Sequence, residues 1–94
     1  MFFTVQIGVY SKPVPSSSLF NIKPLNTELI RSGLIRYTTG QFTSLDDASL
    51  RKDEIRLVGV KDAFVTAYFN GERITIAKAK QLIDKFGDEV LIKK

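Results

Sequence analysis

The sequence predicts an α+β domain in which an antiparallel sheet carries its helices on one face. Three features support this prediction. A strand-like alternation begins at Phe3, a glycine-containing hairpin signal lies at Ser32-Gly33, and two helical segments follow the hydroxyl residues Ser44 and Thr75. The resulting order of strands and helices is typical of the β-α-β-β-α-β arrangement. We therefore expect a ferredoxin-like split βαββαβ fold with a four-stranded antiparallel sheet, helices on one face and an extra C-terminal helix.

The first strand is predicted from a period of two residues. Its polar positions are Thr4, Gln6, Gly8 and Tyr10, as expected for a strand with one buried face. The apolar positions are Phe3, Val5, Ile7 and Val9. Pro13, Pro15 and Pro24 then bracket residues 16–22, so this segment allows at most a short helix, capped by one of its serines.

Two hairpins are predicted from glycine-containing turns. Ser32-Gly33 suits a tight turn in which glycine takes a positive φ, and Asn70-Gly71 is typical of a type I′ turn. The strands that these turns join are residues 27–31 with 34–39, and residues 63–69 with the short edge strand 72–74. Residues 88–94 either add a further strand or fray.

Two helices are predicted from their caps and apolar stripes. Ser44 begins a long helix with acidic residues in its first turn, and Gly59 ends it. Thr75 begins the second helix, and Gly87 ends it. The apolar stripes are Ala48, Ile55 and Val58 in the first of these helices, and Ile76, Ala79, Ile83 and Phe86 in the second.

Composition limits the function classes. Ninety-four residues with 44% hydrophobic content fit a single domain, residues 1–94. The chain has no cysteine and no histidine, which removes thiolate nucleophiles and the commonest zinc and general-base ligands. The adjacent pair Asp46-Asp47 suits helix capping better than acid-base catalysis. We expect no enzyme activity, no cofactor and no metal.

Neither the net charge nor the hydropathy of the chain indicates a membrane-spanning segment. The net charge of +4 suits nucleic acid, an anionic polymer or simple solubility, and we interpret it as solubility. No apolar run approaches the roughly 18 residues needed to cross a bilayer. The N-terminal residues lack the pattern of an export signal. This favours the cytoplasm if the chain is complete, whereas an excised domain could come from an exported protein.

Strand alternation predicts a working face on the side of the sheet that the helices leave bare. The side chains expected there are Gln6, Arg36, Thr38, Thr66 and Tyr68. A buried amide costs about 1 to 3 kcal/mol unless it is paired, so the glutamine is expected to face solvent. Amide, hydroxyl, guanidinium and aromatic groups together suit a sugar ligand. The alternative is that a bare sheet face simply needs polar residues.

Glycines modify this alternation at two places. Gly8 and Gly40 are expected to mark β-bulges, beyond which Tyr10 and Phe42 turn inward as core residues. Small residues of the strand 63–69, such as Ala63, are expected to pack closely under the helices.

Three motifs resemble the SPOR (sporulation-related repeat) family. They are V-Q-I-G-V-Y at 5–10, R-Y-T-T-G-Q-F-T-S-L-D-D-A at 36–48 and V-G-V-K-D-A-F-V at 58–65. The resemblance covers about residues 3–69, and residues 70–94 form an extension of a hairpin strand and a helix. The chain departs from the family in its short first helix and in this extension.

The resemblance implies the split βαββαβ fold and a noncatalytic role in binding peptidoglycan glycan strands at bacterial division sites. It assigns ligand contact to Gln6 alone, and the other four candidate residues rest on strand alternation. It also implies a place in the periplasm or cell envelope, within a larger parent protein.

Two other function classes share the predicted fold. An RNA-binding domain has the same strand order with exposed aromatic residues, but the sequence lacks the expected aromatic signature and its lysines gather near the C-terminus, so nucleic acid is disfavoured. A structural protein-interaction module that has lost glycan binding would use the sheet face or a free edge strand instead.

Overall fold

The computed structural model describes residues 1–87 and confirms an α+β domain. Its strands are β1 (Phe2–Tyr10), β2 (Asn26–Leu29), β3 (Ile35–Phe42), β4 (Phe64–Phe69) and β5 (Glu72–Ile74). Its helices are a 3₁₀ helix (Ser16–Leu19), α1 (Leu45–Val58) and α2 (Ile76–Phe86). The strands form one antiparallel sheet in the order β2-β3-β1-β4-β5. Within the described residues the sheet therefore has five strands rather than four, because the short edge strand pairs with β4.

Both α-helices pack on the same face of the sheet. Phe3 lies in a buried cluster with Ala48 of α1 and with Ala79 of α2. Val5 lies in a second cluster with Ile55 of α1 and with residues of the 3₁₀ segment. Ala63 and Ala67 are fully buried, as expected for small residues under helices. Over residues 1–87 the helices thus leave the other face of the sheet uncovered, as the alternation predicts.

The helix caps are those that the sequence predicts. The backbone N–H of Asp47 donates to Ser44 Oγ at 3.1 Å, and the backbone N–H of Lys78 donates to Thr75 Oγ1 at 3.1 Å. Gly59 follows α1 with a φ of 141°. Neither α-helix within residues 1–87 is long and apolar enough to cross a lipid bilayer.

Several local predictions are corrected. The segment after β1 forms only one 3₁₀ turn, and Pro15 rather than a serine precedes it, with no side-chain cap. Val58 and Phe86 are each 52% exposed, because each lies in the last turn of its helix beyond the edge of the core. Leu82 is buried in α2, in the stripe where Phe86 was predicted. The tail 88–94 lies outside the described residues.

The first hairpin turn is wider than predicted. The N–H of Ile30 donates to Leu34 O, and the N–H of Gly33 donates to Ile30 O, both at 2.9 Å. Residues 30–34 therefore belong to the turn, so that β2 ends at Leu29 and β3 begins at Ile35. Gly33 has the predicted positive φ, at 82°.

Two bulges bend the central strand pair. The pairing of β1 with β3 shifts once between Phe3 and Val5 and again between Gln6 and Gly8. The first shift lies opposite Gly40, which has a φ of 82°. Tyr10 and Phe42, two residues after each glycine, pack against the core as predicted. Bulges increase the local twist, so this pair is bent more than a regular ladder.

We expect Gly40→Ala to destabilise the domain strongly. A methyl group at this position would collide with the ring of Phe42 and would also hold a positive φ, which together should lower the free energy of unfolding by roughly 2 to 4 kcal/mol. The control is Gly33→Ala, which has the same φ but open space around the added methyl group, and which should cost only about 1 kcal/mol. Urea denaturation measures both losses, and equal losses would contradict the close packing of Phe42.

Candidate ligand-binding face

The register of the sheet brings all five candidate residues to its helix-free face. Gln6 lies opposite Thr38 on one side and opposite Phe64 on the other. Thr66 and Tyr68 follow Phe64 at intervals of two on β4, and Arg36 precedes Thr38 by two on β3. Side chains at such positions share one face of a sheet. The predicted set is therefore one contiguous group of side chains.

The same face is nevertheless largely buried, which corrects the expectation of exposure. Gln6 is 9% exposed, and Thr38, Thr66 and Tyr68 are each buried as well. Within residues 1–87 no helix lies over them; the sheet itself curls. The Tyr68 hydroxyl donates to Glu28 Oε1 at 2.8 Å, although β4 and β2 are three strands apart, a separation of about 14 Å in a flat sheet. The helix-free face is thus a concave surface.

Three polar side chains close the concave surface. Arg36 Nη1 donates to Glu28 Oε1 at 2.6 Å and to the Tyr68 hydroxyl at 3.3 Å. One carboxylate oxygen therefore accepts from both a guanidinium and a phenol. Arg36 and Glu28 are directly opposite each other on neighbouring strands, a position that favours a pair of opposite charges. We call these three residues the Arg36–Glu28–Tyr68 network.

Burial and hydrogen bonding change the pKa values within this network. Burial raises the pKa of Tyr68 above its ordinary value of 10.0, and its hydrogen bond to Glu28 raises the pKa further. Burial alone would lower the pKa of Arg36, but its bonds with Tyr68 and Glu28 outweigh burial and raise the pKa. The phenol therefore stays neutral and the guanidinium stays charged across the physiological range.

Within residues 1–87, two buried polar atoms on this surface have no hydrogen-bond partner. They are Gln6 Oε1, an acceptor, and Arg36 Nε, a donor. An unpaired buried polar group costs on the order of 1 to 3 kcal/mol. Most such groups in native proteins are paired, so an unpaired donor and an unpaired acceptor on one concave surface indicate a place where a polar ligand or water would bind.

Aromatic rings lie along the β4 side of the concave surface. Phe2 stacks on Tyr68 with a centroid distance of 5.4 Å and an interplanar angle of 10°. Phe64 is 39% exposed, and the guanidinium of Arg73 lies 5.7 Å from its ring centroid. An apolar ring face at the rim of a polar concave surface suits a ligand with both apolar faces and hydroxyl groups.

Sequence reasoning missed Glu28, Phe2 and Thr4. Glu28 could have been found, since a hairpin centred on Ser32 pairs residue 28 with residue 36. Phe2 continues the alternation by one step. Thr4 instead stabilises the first β-bulge, because its hydroxyl lies within hydrogen-bond distance of two backbone oxygens there. The distances are 3.0 Å to Thr39 O and 2.7 Å to Gly40 O. No local pattern predicts that contact.

A separate cleft of about 350 Å³ lies beyond the N-terminal end of β4. Its walls come from the end of β1, the 3₁₀ segment and the loop after α1; they are Ile7, Gly8, Val9, Tyr10, Ser18, Leu19, Phe20, Gly59, Val60 and Asp62. Phe20 is 52% exposed with a φ of 58°, and its ring lies against Gly59. Pairing of β1 with β4 stops at Gln6, so the following residues of β1 have no strand partner on the cleft side within the described chain.

Comparisons of the chain with family models, with curated proteins and with solved structures find no match. The likeness to the SPOR family therefore rests on the three motifs alone. Residues 1–87 also hold no group of three or more acidic side chains placed to bind a metal ion.

We expect alkaline pH to weaken the Arg36–Glu28–Tyr68 network. Because the folded-state pKa of Tyr68 is raised, its contribution to stability is complete below its unfolded pKa of about 10 and is lost as the pH rises through the folded pKa. Tyr68→Phe removes this contribution. The difference in free energy of unfolding between native and Tyr68→Phe proteins should therefore stay constant up to about pH 9 and shrink as the pH rises from about 10 through the folded pKa. A constant difference in chemical denaturation would contradict this assignment.

Proposed function

We propose that this domain is a noncatalytic binding module of the SPOR type, which binds peptidoglycan glycan strands on its concave sheet face. The observation that carries the proposal is the unpaired Oε1 of buried Gln6, the one residue that the family motif assigns to ligand contact. It lies among hydroxyl side chains and beside Phe64, an exposed ring. A glycan strand supplies the hydroxyl and amide donors that this acceptor lacks.

The strand order supports the proposed fold type. β1 lies between β3 and β4, and every neighbouring pair is antiparallel. This is the arrangement expected when two strand-helix units interleave in a ferredoxin-like split βαββαβ fold. In this interpretation the 3₁₀ turn takes the place of the first helix, and β5 and α2 form the extension. The proposed ligand lies outside the cytoplasm, so the function requires a periplasmic or envelope location, within a larger parent protein.

A protein-interaction role is the second candidate, and the cleft beyond β4 favours it. The unpaired edge of β1 and the exposed ring of Phe20 would suit an extended peptide. An RNA-binding role has less support. Phe2 and Tyr68 stack on each other, and the lysines of α2 lie on the helix side, away from the concave face.

Sedimentation with purified peptidoglycan tests the proposed function. The native domain should co-sediment with amidase-treated sacculi, and high salt should not release it, since hydrogen bonds and ring stacking make up most of the proposed contacts. A labelled single-stranded RNA serves as the comparison, because salt-sensitive binding of RNA alone would support the RNA role instead. Retention of neither ligand would favour the interaction role.

We expect Gln6→Leu to separate ligand binding from stability. Leucine has a similar size and removes the unpaired acceptor, so the free energy of unfolding should stay unchanged or rise by up to about 1 to 2 kcal/mol. Retention on sacculi should nevertheless fall at least about tenfold, which corresponds to about 1.4 kcal/mol.

The matched control for this prediction is Gln81→Ala, an exposed glutamine of α2 on the helix side, which should bind as the native domain does. A Gln6→Leu protein that unfolds more easily and binds normally would show that the amide is structural.

A further inference from the structure

We propose that Arg36 recognises an acidic group of the ligand, and that Glu28 is an internal competitor that keeps this arginine covered in the free protein. The inference deepens the proposed glycan-binding function and uses the same concave face. It concerns which chemical group of a ligand binds there and what opposes its binding.

The first observation is that the guanidinium is only partly used. Within residues 1–87, its hydrogen bonds to Glu28 and Tyr68 both come from Nη1, while buried Nε has no partner. Arginine often binds a carboxylate with two parallel N–H bonds, whereas Glu28 accepts only one hydrogen bond from Arg36 here. A separate carboxylate that displaces Glu28 is not tied to the neighbouring strand, so the released guanidinium can turn to bind it with two parallel N–H bonds.

The second observation is that Glu28 joins two distant parts of the concave face. Its Oε1 accepts from Arg36 on β3 and from Tyr68 on β4, so it fixes both donors at once. The arginine side chain is 15% exposed, whereas that of Glu28 is 38% exposed. The glutamate therefore forms the outer side of the network, and its displacement would uncover the arginine.

The third observation is the identity of the second unpaired atom. Gln6 Oε1 needs a donor, whereas Arg36 Nε needs an acceptor. A ligand that carries a carboxylate near a hydroxyl or amide N–H satisfies both atoms. The chemical class that fits is an acidic sugar or another hydroxylated acid, and a neutral glycan would leave Nε unpaired.

Acetate is the simplest probe of the carboxylate site. We would titrate acetate into the native domain and into Glu28→Ala, following the side-chain amide signals of Gln6 and the backbone amide of Thr38 by NMR. Glu28→Ala should bind acetate at least about fivefold more tightly than the native domain, the effect of losing one competing hydrogen-bonded group. Glu28→Gln keeps the size of the side chain, and its acetate affinity should lie between those of the native and Glu28→Ala proteins. It also provides a test if the alanine variant fails to fold.

Two controls make the result specific. Glu72→Ala removes an exposed carboxylate from β5 and changes the net charge equally, so it should bind acetate as the native domain does. The double variant Glu28→Ala, Arg36→Lys keeps the positive charge but lacks the guanidinium and its Nε. It should not show the tighter acetate binding expected of Glu28→Ala alone. Equal acetate binding in native and Glu28→Ala proteins, or a gain that survives Arg36→Lys, would overturn the proposal.

The same variants on peptidoglycan separate this inference from the proposed function. Glu28→Ala should be retained on amidase-treated sacculi more strongly than the native domain, by a similar factor. Acetate binding without any retention on sacculi would contradict the glycan function and leave the carboxylate site in place. If native and Glu28→Ala proteins are retained on sacculi equally and bind acetate equally, the competitor role is contradicted and glycan binding remains in place.

Discussion

The contact between Glu28 and Tyr68 is the constraint on which the shape of the concave face depends. These residues belong to strands that two others separate, and their 2.8 Å hydrogen bond joins those strands across the helix-free face of the curled sheet. The curl buries Gln6, Thr38 and Thr66 without any helix above them. The polar side chains of this face are therefore buried within a concave surface. Within residues 1–87, two of their polar atoms, Gln6 Oε1 and Arg36 Nε, have no hydrogen-bond partner.

The curl has a cause in the central strand pair. Two bulges offset β1 against β3, and the glycines near them allow Tyr10 and Phe42 to fold back toward the core. The added twist brings diagonal corners of the sheet together. The helices pack on the convex side, where small residues such as Ala67 let them approach closely. Core packing and the concave face are therefore two results of the same bent ladder.

Local signals were sufficient for most of the fold. The caps at Ser44 and Thr75, the Asn70-Gly71 turn and the membership of the helix-free face followed from short patterns, which depend on neighbouring residues only. The burial of Gln6 did not, since it depends on a contact between residues 28 and 68, which no local pattern contains. The segment after β1 was predicted as a short helix capped by a serine, whereas Pro15 precedes a single 3₁₀ turn that has no side-chain cap.

A double-mutant cycle between Tyr68 and Glu28 tests the curled sheet most directly. Tyr68→Phe and Glu28→Gln each remove one side of the hydrogen bond while keeping the size of the side chain. If the two strands meet as described, the losses in free energy of unfolding should be non-additive, with a coupling energy of about 1 kcal/mol. Additive losses would show that the two residues do not touch, and the concave face would then be open.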